Sequence, residues 1–313
     1  MNNEQYDSEQ INFIILIYLM MQSAEYEWNN MRDLACDDIN KTKIDEYFTK
    51  VFAQHYNEEI IPTNSHFFRA RQIKREDANQ LGVNKIQTEE FKLLQKECDD
   101  INASNSGITI SFSDFLLIKS IFNDDQREEL ISIMTPLLKE LKDTKFLGFN
   151  AENSGLPPKD RRKEGRLNTV DDDFLYLSYD YETTLAEMRP IINQEYSVAE
   201  CVTIKELKIV NLHKVNAQNE ESLLTNFYLI SRKVSEPNTE PNPKNESFYK
   251  ITQMLAHFLK SKGYDGISFG SSILENGVNL VLFDANNVKF IGSKIFRIKS
   301  VKVEFENEYV MDD

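Results

Sequence analysis

Cysteine is scarce in this chain. Cys36, Cys98 and Cys201 stand far apart, are odd in number and form no C-x-x-C pair. That pattern excludes a disulfide framework and a zinc knuckle, and it suits a reducing cytoplasm. Histidine is as sparse: His55, His66, His213 and His257 are too few and too scattered for a metal site of ordinary ligand spacing. Positive charge is also short. Lys and Arg number 36 against 51 Asp and Glu, a formal net charge of −15, so the basic surplus that nucleic-acid binding sets against phosphates is missing. A membrane-spanning run is missing too. The most apolar stretch, "INFIILIYLMM" (residues 11–21), has about half of the ~20 residues a spanning helix needs. Its lead-in carries Glu4, Asp7 and Glu9 and no Lys or Arg, unlike a secretory signal. It reads as a helix buried on most sides, and no targeting signal is visible.

Several chemical signatures are absent. The chain holds no G-x-G-x-x-G, no G-K-[ST] and no H-E-x-x-H, which removes the usual dinucleotide, P-loop and zinc-protease motifs. It also lacks the R-x4–6-H ribonuclease signature of some helical toxin domains. "GISFG" (residues 266–270) matches G-x-S-x-G, but a nucleophile elbow needs a strand before its serine and a helix after it. Here a helix precedes, and all four histidines lie before Ser268. A serine hydrolase is therefore set aside. The run Asp171–Asp173 reads as a solvated turn rather than a cation site, and no metal is expected.

With 313 residues the chain has room for one large domain or two smaller ones. Apolar residues at three- and four-residue spacing predict helix across residues 1–62, as in Ile44, Tyr47, Phe48, Val51 and Phe52. "PTNS" then makes a turn, and residues 67–73 predict a strand with Arg69 and Arg71 on one side. The helical pattern returns over about 76–143, where Pro136 should interrupt it. "FLGFNAENSGLPPKDRRKEGR" reads as a long loop, a kind of segment that often carries function. Beyond it, "FLYLSYD", "YSVAECVTI", "LKIVNL", "GISFGSS", "VNLVLFD", "NVKFIG" and "FRIKSVKVEF" predict strands. "YETTLAEM" and "SFYKITQMLAHFLKSKG" predict helices, the second capped by Gly263. "SEPNTEPNPKNES" is a polar, proline-rich loop. Strands and helices mixed in this way indicate the α+β class.

Within "GRLNTVDDDFLYLSYDYETTLAEMRP" stand Arg166, Tyr176 and Glu187, on a loop, a strand and a short helix in turn. A guanidinium fork suits a phosphate or pyrophosphate. The neighbouring Lys159, Arg161, Arg162 and Lys163 read as a solvated loop. Tyr176 shares its strand face with Phe174 and Ser178, while Leu175, Leu177 and Tyr179 take the other. Glu187 ends the helix just before Pro190. Spacing leaves it equally a salt-bridge partner of Arg189 or a catalytic carboxylate.

In this order these residues resemble the RES domain, a family named for its arginine, glutamate and serine. "FFRAR" resembles the opening strand, "GFNAENSGLPP" with "GRLN" the arginine loop, "LYLS" the tyrosine strand and "TTLAEMRP" the glutamate helix. "YKITQMLAHFLKSKGYDGISFGSS" followed by "NLVLF" resembles the closing helix, strand and serine motif. The resemblance implies an ADP-ribosyltransferase-like mixed sheet spanning residues 63–313, with a helical insertion at about 76–143 and a helical N-terminal region over 1–62. It further implies an enzyme that consumes NAD+ as substrate, with no cofactor, by cleaving the nicotinamide–ribose bond as a glycohydrolase or phosphorylase. An ADP-ribosyltransferase and a non-catalytic binding module of the same fold are the alternatives. The catalytic set it implies is Glu187, Arg166 and Tyr176, with Glu187 stabilising the charge that builds on the ribose. Arg166, with Arg69, would hold the pyrophosphate, and Tyr176 would stack on the nicotinamide. The family serine, which falls on Ser271 with Ser272 nearly as good, would bind a ribose hydroxyl or the amide of NAD+. A growth-inhibiting toxin or defence effector, blocked by an antitoxin or another regulatory protein, is the expected setting. The added helices are free to cover the cleft or form a homo-oligomer.

Overall fold

The computed structural model describes residues 8–35, 40–52, 57–81, 89–104, 144–213, 229–235 and 246–302. Its named helices are α1 (Ser8–Ala35), α2 (Lys41–Phe52), α3 (Glu89–Ser104), α4 (Ala151–Ser154), α5 (Tyr181–Glu187) and α6 (Glu246–Ser261). Its strands are β1 (Glu58–Ile61), β2 (His66–Gln72), β3 (Leu175–Ser178), β4 (Glu195–Thr203), β5 (Leu207–Asn211), β6 (Gly266–Gly270), β7 (Val278–Leu282) and β8 (Val288–Arg297). The strands form one mixed sheet in the order β1-β5-β6-β7-β3-β2-β4-β8. The β5–β6 pair is parallel, and the β1–β5, β6–β7, β7–β3 and β3–β2 pairs are antiparallel. Helices beside a mixed sheet make this the expected α+β class.

The chain divides into two compact units. The first takes Met1–Ala70, Gly155–Pro190 and Glu200–Phe290. Its strands alternate apolar side chains between two faces, as a period of two requires. Phe174, Val210, Ile267, Val281 and Phe283 join one core cluster, while Leu175, Leu177, Ile209, Leu280 and Leu282 join another. The first cluster also takes Trp28 of α1, Phe48 and Phe52 of α2, and Ile251, Leu255 and Leu259 of α6. Helix α6 buries such a stripe because its apolar residues recur every three or four positions. Gly263, at φ +85°, follows it as the capping residue the sequence predicts.

The second unit takes Arg71–Ser154, Ile191–Ala199 and Ile291–Asp313. Phe149, Ile73 and Leu81 are buried together in it, with Ile295 packed against them. The Arg71 guanidinium lies 5.0 Å from the Phe149 ring centre and donates to the Asn153 carbonyl.

Three expectations are corrected. Glu58–Ile61 is a strand inside the stretch predicted to be helical, because pairing with β5 satisfies a segment too short to show a period of its own. Tyr18 and Leu19 of the apolar run are 61% and 58% exposed, so that end of the run is not buried on most sides. The described part of "FRIKSVKVEF" is no separate strand: β8 runs on through Arg297 and residues 298–302 carry no strand, while 303–305 lie outside the described residues. Pro136, and residues 236–245 of the proline-rich loop, lie outside the described residues, as does most of the predicted helix beyond α3. Among the described residues no helix is long and apolar enough to cross a membrane.

Candidate active site

A cavity of about 380 Å3 opens in the first unit, with Arg69, Arg166, Tyr176 and Glu187 among its lining residues. Four of the sequence-predicted residues thus meet at one place. Arg69 comes from β2, and its Nη1 donates to the Tyr176 carbonyl at 3.2 Å. Arg166 comes from the loop ahead of β3 and donates to the Val234 carbonyl. Two guanidinium groups on the walls make the cavity suited to an anion.

Tyr176 lies on β3 with its ring in the cavity wall, while its hydroxyl faces the arginine loop. That oxygen accepts from Leu167 N–H at 3.1 Å and donates to Asn168 Oδ1 at 2.9 Å. Burial pushes the phenol up to about 12, against the smaller opposing pulls of the Leu167 bond and the Arg166 charge. It is therefore a fixed neutral donor near pH 7.

Glu187 owes its place to helix α5. Asp180 caps the helix, accepting from Thr183 N–H at 2.6 Å, and Thr183 and Thr184 bury the inner face. The helix ends one turn later, where Arg189 adopts φ +47° ahead of Pro190. At that end the Glu187 Oε1 accepts from Ser271 Oγ at 2.7 Å and from Asn279 Nδ2 at 2.7 Å. Among the described residues Arg189 forms no ion pair with it, so of the two alternatives left open by spacing the salt bridge is not what holds Glu187. Asn279 Oδ1 in turn accepts from Ser178 Oγ at 2.8 Å. This fixes the asparagine amide with its nitrogen toward the carboxylate.

Ser271 sits in the turn after β6, where its own N–H donates to the Gly277 carbonyl. A β-carbon at Gly277 would come within 2.8 Å of Thr183 Oγ1, so glycine there lets the turn lie against α5. The Ser271 hydroxyl also accepts from Ile273 and Leu274 N–H, both at 3.1 Å. Ser272 is exposed and, among the described residues, its side chain takes no part in this cluster. Ser268 of the rejected elbow motif is fully buried within β6. Burial likewise pushes the Cys201 thiol up to about 12, which removes it as a nucleophile near neutral pH. Among the described residues no cluster of His, Cys, Asp and Glu could hold a metal.

Sequence reasoning missed Asn279, Ser178 and Tyr249, all of which line the cavity. Asn279 and Ser178 had a signal, since each is a polar residue in an otherwise apolar strand. Tyr249 had none, being one aromatic among several on an amphipathic helix.

The model of the RES domain matches residues 138–303, more than half of the chain and the span that holds Arg166, Tyr176, Glu187 and Ser271. The chain belongs to the RES domain family. Arg69 lies ahead of the matched stretch of the RES domain. No curated protein matches the chain. Among solved structures, a chain of the M. tuberculosis MbcT–MbcA toxin–antitoxin complex is similar at 14% identity and a TM-score of 0.29, covering 44% of this chain and 74% of its own.

Proposed function

We propose that this RES protein cleaves the nicotinamide–ribose bond of NAD+. The observation that carries the reading is Glu187: a carboxylate on the cavity wall, held by two donors on one oxygen. Among the described residues Oε2 has no hydrogen-bond partner. Breaking the bond releases neutral nicotinamide and builds oxocarbenium character on the ribose. A fixed carboxylate stabilises that charge and orients the acceptor, as the carboxylates of glycosidases do.

Arg166 and Arg69 fit the pyrophosphate, since both are permanent cations lining one cavity. The Tyr176 ring fits the cationic nicotinamide, which its π face attracts. Ser271 already gives its hydrogen to Glu187, so its position suits it to holding the carboxylate. With water as acceptor the protein is a glycohydrolase, and with phosphate a phosphorylase. NAD+ is then substrate, and the residues named supply the chemistry without a cofactor. Unrestrained loss of NAD+ halts growth, which favours a toxin or defence effector acting on the cytoplasmic pool. Such an activity calls for a blocking partner protein.

The test is incubation of purified protein with NAD+. Free nicotinamide should appear, and the ribose-containing product should be ADP-ribose or its phosphorylated form. Glu187→Gln should abolish release with an unchanged far-UV circular dichroism spectrum. Unchanged turnover in that variant would sink the assignment.

A further inference from the structure

The loop that carries Arg166 has no regular secondary structure over residues 162–169, yet part of it is buried: Leu167 and Asn168 are 0% and 9% exposed. Buried backbone polar groups need partners, and here helix α6 supplies them. Gln253 Nε2 donates to the Gly165 carbonyl at 3.0 Å and to the Asn168 carbonyl at 3.0 Å. Gly165 N–H closes the same turn on Asn168 O at 3.0 Å. Next to Gln253, the Thr252 hydroxyl donates to the Arg166 carbonyl itself. The turn from Gly165 to Asn168 is thus gripped at the carbonyls of Gly165, Arg166 and Asn168 by two adjacent side chains, 7% and 1% exposed. The turn has no room for a side chain at its first residue, since a β-carbon at Gly165 would come within 2.3 Å of Asn168 Oδ1 and 2.9 Å of the Tyr176 hydroxyl.

We propose that Gln253 is a positioning residue: its amide clamps the Gly165–Asn168 turn and thereby aims Arg166 into the cavity and keeps Asn168 against Tyr176. It touches the loop backbone rather than the substrate, so it acts through Arg166. A glutamine suits the task because one NH2 group offers two donors that diverge, matching two carbonyls that a turn brings near each other. The helix does not need this residue for its own packing, which rests on Ile251, Leu255, Ala256 and Leu259.

The inference rests on the NAD+ reading for the part played by Arg166, but the clamp can be read without substrate. Gln253→Glu puts a carboxylate against both carbonyls. Gln253→Met keeps the length with no donor and no charge, should the glutamate variant fail to fold. In either variant, amide hydrogen exchange across residues 163–169 should rise at least tenfold while that of β6 and β7 stays as in wild type. The KM for NAD+ should rise about tenfold with kcat within about threefold, the split expected when an interaction shared by ground and transition states is loosened. Exchange that is unchanged in a folded Gln253→Met protein overturns the clamp. So does faster exchange with an unchanged KM in an active enzyme, since Arg166 would then be aimed by other means. Failure of the NAD+ reading itself shows separately, as a wild-type protein that leaves NAD+ intact.

Discussion

Ser271 Oγ donates to Glu187 Oε1 at 2.7 Å, across 84 residues of chain. The bond joins the turn after β6 to the end of α5, and it separates the two serines that the sequence leaves nearly equivalent. Ser271→Ala should lower the rate of nicotinamide release by about tenfold to a hundredfold, the worth of a hydrogen bond to a charged group. Ser272→Ala should stay within about twofold. Initial rates at saturating NAD+ measure both, and equal effects would remove the distinction.

Asn279 should be as important as Ser271, although it is absent from the family's name. Asn279→Leu keeps the approximate volume but removes the donor to Glu187 and the acceptor for Ser178. NAD+ cleavage should fall by at least tenfold, since a hydrogen bond to a charged group is worth about 1.5–3 kcal/mol. A variant as active as wild type would show that Ser271 alone suffices to hold the carboxylate.

Tyr176→Phe separates the ring from the hydroxyl. It leaves the Leu167 N–H and the Asn168 amide short of a partner, at a cost of about 1–3 kcal/mol in stability. Part of the activity should remain because the ring face remains, whereas Tyr176→Ala should lose both. Urea unfolding beside a kinetic assay checks the pair. Burial pushes the wild-type phenol up to about 12, so no change in rate between pH 7 and 9 should trace to it.

Asp172 gives the first unit a sensitivity to acid. Burial alone would push its carboxyl up, but bonds from Thr169 N–H, His257 and the Thr169 hydroxyl outweigh that and hold it below its ordinary value of 3.8. A carboxyl depressed in the folded state contributes stability above 3.8, and that contribution is lost as pH falls through the lower folded value. The melting temperature of wild type should therefore drop more steeply below pH 4 than that of Asp172→Asn. Parallel curves would show that the carboxyl contributes nothing.

The N-terminal helices belong to the core of the first unit rather than to its surface. Phe48 is fully buried and its ring centre lies 5.5 Å from that of Phe258 on α6. Phe48→Ala should cost about 3–5 kcal/mol, as large-to-small changes at packed aromatics do. Denaturant unfolding measures it, and a loss below 1 kcal/mol would mean that α2 is only loosely attached.

Local patterns carried much of this architecture in the sequence. Period-two alternation in "LYLS" places Tyr176 and Leu177 on opposite faces, and the three- and four-residue spacing of Ile251, Leu255 and Leu259 marks the inner side of α6. The arginine, tyrosine and glutamate lie within 22 residues, so one short reading reaches them all. Non-local facts were out of reach. Nothing near Glu187 says that its partners come from 84 and 92 residues downstream, so spacing could not decide between a salt bridge to Arg189 and a catalytic carboxylate. "EEII" is too short to declare a strand without β5 beside it. The role of the Tyr176 hydroxyl depends on how the arginine loop folds back, which periodicity does not encode.

The residues lining the cavity fall in three short blocks of chain: Phe68–Ala70, Arg166–Met188 and Tyr249–Asn279. Every segment that joins one block to the next begins and ends outside the cavity wall. Loop closure grows only slowly with length, by about 0.6 kcal/mol for each doubling, so such connectors can be extended at small cost. The long stretch between Ala70 and Arg166 is then an accommodation the design permits. A chain of this plan can acquire new surface for a partner between the blocks while the geometry around Glu187 stays as it is.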